Sequence, residues 1–344
     1  MSTVQATAPD AEKKALRGQK KKGDRSSFLT RHGSQVLVVV SELILIAGFA
    51  IASPYFLQVA NFSALLLDAS VYVLLALGLT FVIATGGIDL TPGFGIAFTG
   101  VCLAVAMKWA AGAGMGVALV ILIGVAVGLL AGALMGTVNG ILVAYLRMQP
   151  MIATLAMMLI AWGMALVISG TSAIPLSEFT AFLRLGQGRT LGVTNALYLI
   201  AIVAVIAAYL LNRTLIGRYA LAIGSNEEAT RLSGVNVKKW KMLVYTLGGT
   251  FTGLAGVLMA SRLASGKPDV GQSYEMYAIA AAVLGGASLQ GGRASVFGSV
   301  VGAIVIATIR NGAVLMGIPD QWQKVLLGIV VLGAVYLDAR RQKS

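Results

Sequence analysis

The chain has 344 residues, 58% of them hydrophobic and 11% charged, far from the roughly 45–50% apolar and about 25% charged of a water-soluble domain. Its formal net charge of +13 would suit a nucleic-acid partner only if the basic residues shared a soluble module with interleaved aromatics; instead they flank apolar segments, where membrane orientation explains them and no nucleic acid is expected. One cysteine, Cys102, and one histidine, His32 in the polar leader, exclude an internal disulfide framework, a cysteine or histidine zinc site and histidine general-base chemistry within a membrane.

Residues 1–34 carry Lys13, Lys14, Arg17, Lys20, Lys21, Lys22, Arg25 and Arg31 with almost no large apolar residues. They cannot bury a core and are expected to form a disordered, basic cytoplasmic tail. The first apolar run, 35–52, ends in Ala50-Ile51-Ala52, which mimics a signal-peptidase site; because the leader is long and the run can span, an uncleaved anchor is expected.

Further runs fall at 64–85, 94–107, 116–146, 151–169, 196–211, 242–261, 276–284, 296–310 and 325–337. Counting the short stretch near Met276, they make about ten passages. The expected fold class is all-α: a polytopic transmembrane helical bundle in which the 42 glycines let backbones approach one another. Starting from a cytoplasmic amino terminus, alternation puts most of the 26 Lys and Arg inside, among them Arg213, Arg218, Lys238, Lys239, Arg340, Arg341 and Lys343, so both termini are expected in the cytoplasm. Segments 53–63, 170–195 and 264–275 then face the opposite side.

Gly86-Gly87-Ile88-Asp89-Leu90-Thr91-Pro92-Gly93 and Gly285-Gly286-Ala287-Ser288-Leu289-Gln290-Gly291-Gly292 share the spacing Gly-Gly-x-x-Leu-x-x-Gly, each after a span running inward. Matching orientation predicts an internal parallel repeat. Glycine-interrupted apolar segments in corresponding positions point to broken helices at a transport site; the plainer reading is a pair of tight surface loops. The depth of Asp89 decides its meaning, since an acidic residue inside a membrane is costly and functional, whereas at the surface water solvates it.

Within the cytoplasmic loop 213–241, the string Ser225-Asn226-Glu227-Glu228-Ala229-Thr230-Arg231-Leu232-Ser233-Gly234 reads as one short helix. Ser225 and Glu228 form the S-x-x-E capping box, Glu227 and Glu228 suit the positive helix start, and Gly234 supplies a left-handed stop. Ala229 and Leu232 share a face. So short a helix needs a partner surface, which is either the underside of its own membrane domain or another polypeptide.

The stretch from Ala222 to Val237 resembles the cytoplasmic loop of ribose-type sugar permeases of ATP-binding cassette importers. The first glycine string, Val138-Asn139-Gly140, Ile152-Ala153-Thr154-Leu155 and Tyr274-Glu275-x-x-Ala278-Ile279-Ala280-Ala281-x-x-Leu284-Gly285-Gly286 follow in the family's order, and the resemblance covers residues 35–341. The basic leader and Pro92 depart from it. The resemblance implies a permease domain over 35–341 in a bacterial inner membrane and a second permease subunit, identical or not. It also implies a cytoplasmic ATPase that holds ATP and Mg, and a periplasmic sugar-binding protein. It makes Ser225, Asn226, Glu227, Glu228, Ala229, Arg231, Leu232 and Gly234 the helix that couples to the ATPase, and the cargo a pentose or related sugar. No G-x-x-x-x-G-K-[ST] string occurs in the chain, in keeping with a subunit that binds no cofactor or nucleotide itself.

Gly86, Gly87, Asp89, Asn139, Thr154, Gly285 and Gly286 are the candidates for the translocation path. Gln149, Ser169 and Asn311 join Asn139 and Thr154 as uncharged hydrogen-bonding groups in apolar spans, although helix-to-helix bonding would account for each singly. A gradient-driven transporter would instead want Glu42, Asp68 or Asp89 as relays. A membrane enzyme finds no metal triad and no nucleophile with a base.

Overall fold

The computed structural model describes residues 38–341. The predicted tail, 1–34, the first residues of the first run and Lys343 lie outside them. The described chain forms thirteen helices: α1 Val38–Ala52, α2 Val59–Ala84, α3 Pro92–Gly112, α4 Val117–Ala144, α5 Pro150–Ser169, α6 Thr180–Gln187, α7 Asn195–Arg213, α8 Leu215–Ser225, α9 Glu227–Leu232, α10 Val237–Leu263, α11 Tyr274–Leu284, α12 Val296–Leu315 and α13 Asp320–Arg341. Four two-residue strands, β1 Ile174–Pro175, β2 Arg189–Thr190, β3 Val193–Thr194 and β4 Ser265–Gly266, pair antiparallel as β1 with β4 and β2 with β3.

Every predicted apolar run falls on a helix, and seven helices (α2, α3, α4, α5, α7, α10 and α12) are long and apolar enough to cross a bilayer. The protein is a polytopic helical membrane protein. Helix α2 is the centre: apolar on every side, it offers no polar stripe to direct towards water, and from Ala69 to Ala84 it is buried without interruption among α7, α10, α11 and α12.

The closest helix pair, α4 with α10, is built on glycine. In α4, Gly124, Gly128, Gly132, Gly136 and Gly140 recur every fourth residue and so share one face. A Cβ on Gly132 would strike the Gly249 carbonyl, one on Gly136 the Tyr245 carbonyl, and one on Gly253 would lie 2.7 Å from the Gly128 carbonyl. Small side chains let the two backbones touch where lipid supplies no hydrophobic drive to associate. The opposite side of α4 leaves Leu122, Leu130 and Leu134 exposed.

Loops sort to the two ends as alternation predicted. At one end β1 pairs with β4, joining 170–195 to 264–275, and Ser261 Oγ at the close of α10 accepts from the Gly186 amide (2.9 Å) and donates to the Phe182 carbonyl (2.8 Å). At the other end the two glycine loops and α8 meet through backbone.

Candidate functional site

Helix α2 ends in a glycine cap. Gly86 takes φ +77° and donates to the Ile83 carbonyl (2.9 Å), while the Gly87 amide reaches back to Val82 (3.2 Å), a left-handed stop that only glycine adopts without strain. The chain then turns back into the bundle instead of crossing its surface. Asp89, Leu90 and Thr91 are buried, and α3 opens at Pro92, where the missing N–H costs nothing. Of the two readings of this glycine string, the structure has the broken-helix one.

Irregular backbone at depth survives only where neighbours satisfy it, and here α4 and α5 do so. Thr154 Oγ1 accepts from the Leu90 amide (3.1 Å) and donates to the Pro150 carbonyl (2.9 Å). Asn139 Nδ2 donates to Thr91 Oγ1 (2.6 Å), and Asp89 Oδ1 accepts from the Thr91 amide (2.9 Å). Three predicted pathway residues, Asp89, Asn139 and Thr154, therefore converge, all almost wholly buried. They form the clasp of the re-entrant segment. Tyr245, whose hydroxyl lies against Gly87 without a hydrogen-bond partner among the described residues, borders the clasp and was not singled out from sequence.

The second glycine string differs in register and in path. Gly286, at φ +94°, donates to Val283 (2.9 Å) and the Ala287 amide reaches Ala282 (3.0 Å), so the structural counterpart of Gly86 is Gly286 and not the Gly285 that the echo aligns with it. Gly285 is small for another reason: a Cβ on it would strike the Gly298 backbone. Residues 287–295 stay at the end of the bundle in a tight turn with Gly291 and Gly292 at positive φ, and α11 and α12 pack on each other.

In this half the break precedes α11. After β4, Gly271 lies against the Gly93 carbonyl, and α11 begins beside Tyr72, whose ring stands 5.3 Å from that of Tyr274. Tyr72 is halfway along α2. Eleven residues rise about 16 Å, about half of a bilayer core. The starts of α3 and α11 therefore meet inside the bundle; the shortness of the predicted run 276–284 was the only sequence signal of this.

The loop 213–241 is mostly helical, and α8 within it was not foreseen. Near the end of α8, Gly224 is wedged against the Ala84 carbonyl and Gly291, while the Gly292 amide donates to that same Ala84 carbonyl (3.0 Å). One residue thus touches the end of α2 and the second glycine loop. The predicted capping box does not form: Ser225 closes α8, and Asn226, in extended backbone between the helices, caps α9 by accepting from the Ala229 amide (2.9 Å). Glu228 pairs with Arg231, whose guanidinium holds its carboxyl below the usual carboxylate range, and Glu227 reaches Lys241 of α10 (2.6 Å). Gly234, at φ +82°, ends the helix as predicted. Ala229 and Leu232 are exposed, Leu232 by 74%.

The remaining candidates are engaged elsewhere. Glu42 accepts from Thr308 Oγ1 (2.7 Å), Asp68 pairs with Arg262, and Asn311 exchanges hydrogen bonds with Asn61 (2.8 and 2.9 Å). Ser169 bonds within its own helix, and Gln149, exposed at the start of α5, accepts from the Ile152 amide through its backbone carbonyl.

Comparison with known proteins agrees with this architecture. Residues 61–335 match the sequence profile of the family described as branched-chain amino acid transport system / permease component. The ribose import permease protein RbsC of Escherichia coli (strain K12) is 40% identical over 308 residues, 88% of this chain and 93% of the relative. RbsC of Bacillus subtilis (strain 168) is 41% identical over 299 residues, 87% and 90% of the two chains. The L-arabinose transport system permease protein AraH of Escherichia coli (strain K12) is 37% identical over 321 residues, 93% and 95%. No solved structure matches the chain at a significant level.

Proposed function

Because the chain belongs to the family of branched-chain amino acid transport system permease components, we propose that it is the membrane-spanning subunit of an ATP-binding cassette importer for a monosaccharide, a ribose-type pentose or a related sugar. The sugar assignment is supported by the ribose and arabinose permeases that resemble the chain over nearly its full length. The subunit sits in a bacterial inner membrane with both termini in the cytoplasm, crosses it about ten times, and pairs with a second permease subunit. A periplasmic binding protein delivers the sugar, and a cytoplasmic ATPase holds ATP and Mg.

One observation carries the mechanism: α8 and α9 form a unit with an exposed apolar face, Ala229 and Leu232, at one end and Gly224 wedged between the end of α2 and the second glycine loop at the other. In this reading closure of the ATPase pushes on α9, and α8 passes the displacement to the ends of α2 and α11. The spans then rock between outward and inward states about the packed bundle. The clasp of Asn139 and Thr154 keeps the re-entrant segment moving as one body with α4 and α5.

The test is uptake of D-ribose and L-arabinose by proteoliposomes holding the complete transporter. Uptake is expected to require ATP, to survive an uncoupler, and to be lost with sugar-stimulated ATPase when 226–234 is replaced by a glycine-serine linker. Uptake that collapses with the uncoupler while ATP remains would mark a gradient-driven transporter instead.

A further inference from the structure

Among the carboxylates within the bundle, two keep one oxygen without a hydrogen-bond partner among the described residues, Glu42 and Glu275. Asp68 has Arg262, Asp89 has the Thr91 amide and the other oxygen of Glu42 has Thr308, whereas Glu275 has only its own backbone amide and its Oε2 has no partner among the described residues. A carboxylate oxygen withdrawn from water is costly unless something donates to it, and an acidic residue at membrane depth marks function by default.

Its position is specific. Glu275 lies in the first turn of α11, level with the midpoint of α2. Tyr274 and Tyr277 of that turn pack on Tyr72, which accepts from Arg310, so one face of α11 is locked. Glu275 points the other way, onto the start of α3: a Cβ on Gly93 would strike its Oε2 and stand 3.2 Å from Met158 Sδ. The positive end of the 21-residue α3 favours a negative charge there. Outward from this point Gln272 and Met276 are exposed, and one turn beyond Met158 on α5 the half-open Trp162 stacks on Phe94 at 4.6 Å and 13°. A charged acceptor, an amide and an aromatic face beside apolar walls form the mixture that holds a small hydroxyl-rich solute, and interrupted helices that meet at mid-depth are where transporters place such contacts.

We propose that Glu275 contacts the sugar in transit, its carboxylate accepting hydrogen bonds from sugar hydroxyls; this rests on the monosaccharide permease reading above. Gly93 is the room left for that carboxylate, and the Phe94–Trp162 stack is the surface over which the apolar face of the sugar ring passes.

The experiment uses the complete transporter in proteoliposomes supplied with D-ribose or L-arabinose, and compares wild type with Glu275→Gln and Glu275→Asp. In Glu275→Gln, uptake is expected to fall about tenfold, the scale of one lost charge-assisted hydrogen bond, while basal ATPase stays within about twofold. Glu275→Asp, which keeps the charge, recovers part of the uptake. In a Cys102→Ala background, Glu275→Cys is expected to react with a hydrophilic thiol reagent, more slowly when the transported pentose is present and at the same rate with mannitol. Uptake by Glu275→Gln within about twofold of wild type, or labelling that the pentose leaves unchanged, overturns the proposal. Wild-type vesicles that move neither pentose overturn the pentose assignment on which the proposal rests, and the two failures are therefore distinct.

Discussion

Alanine in place of Gly224 tests the junction of α8 with the end of α2 and the second glycine loop. In an exposed helix this exchange is favourable by about 0.8–1.0 kcal/mol. Here the new Cβ would strike the Ala84 carbonyl and the Gly292 amide and come within 2.9 Å of the Gly291 Cα, whereas ordinary contact begins at 3.4 Å. All three neighbours are backbone, so no rotamer change relieves the clash and α8 must withdraw. Overpacking of this kind costs about 1–3 kcal/mol, and withdrawal breaks the Gly292-to-Ala84 hydrogen bond, about 0.5–1.5 kcal/mol more. After the gain in helix propensity, a net destabilisation of about 1–3 kcal/mol remains. Thermal unfolding of the purified permease and sugar-stimulated ATPase of the assembled transporter read the two consequences: a lower midpoint and weaker coupling. Gly163→Ala in α5, where a Cβ meets nothing within 4 Å, is the control and should be neutral or stabilising. Gly224→Ala as stable and as well coupled as wild type would refute the wedge and the force path drawn through it.

Gly249→Ala puts a methyl into the Gly132 carbonyl and the Gly136 backbone, so α4 and α10 must separate, and thermal unfolding should show a loss of about 1–3 kcal/mol. Thr154→Val keeps the shape but leaves the buried Leu90 amide without its acceptor; an expected cost of about 1–3 kcal/mol appears in the unfolding midpoint, together with faster hydrogen exchange at residues 88–91. Leu232→Glu should leave folding and insertion unchanged and cut sugar-stimulated ATPase several-fold, because the side chain is exposed in the isolated subunit. Arg231 lowers the Glu228 carboxyl below its ordinary value of 4.5. Its contribution is therefore full above that value and is lost only as pH falls through the depressed one. Wild type and Glu228→Gln should differ in coupled ATPase by the same ratio across about pH 6–8, and a ratio that drifts towards unity at the acid end would contradict the sign.

How much was readable in advance depended on the physics each feature rests on. The helices themselves were plain, since runs such as 151–169 and 242–261 have the composition and length that a bilayer demands, and helix stops such as Gly234 are local backbone chemistry. The cap of α9 was misread by one residue. Ser225 and Asn226 are both good capping residues, and only the end of α8, which takes up Ser225, decides between them. The glycine echo was real in composition yet one residue out of step in geometry, because glycine answers equally to positive φ at Gly286 and to close approach at Gly285.

What the amino-acid sequence determined by itself is the set of apolar helices, the sorting of loops to two ends and the family. Each of these follows from contrast between lipid and water along a short window, or from ordered motifs. Tertiary structure alone decided that α11 is a half-helix, that Asp89 lies inside the bundle, and that Asn139 and Thr154, 48 and 64 residues from the groups they bind, close on the same segment. In a membrane every face of a helix is apolar, so hydropathy has no contrast left to say which face meets which neighbour, and backbone contact between glycines settles the question instead.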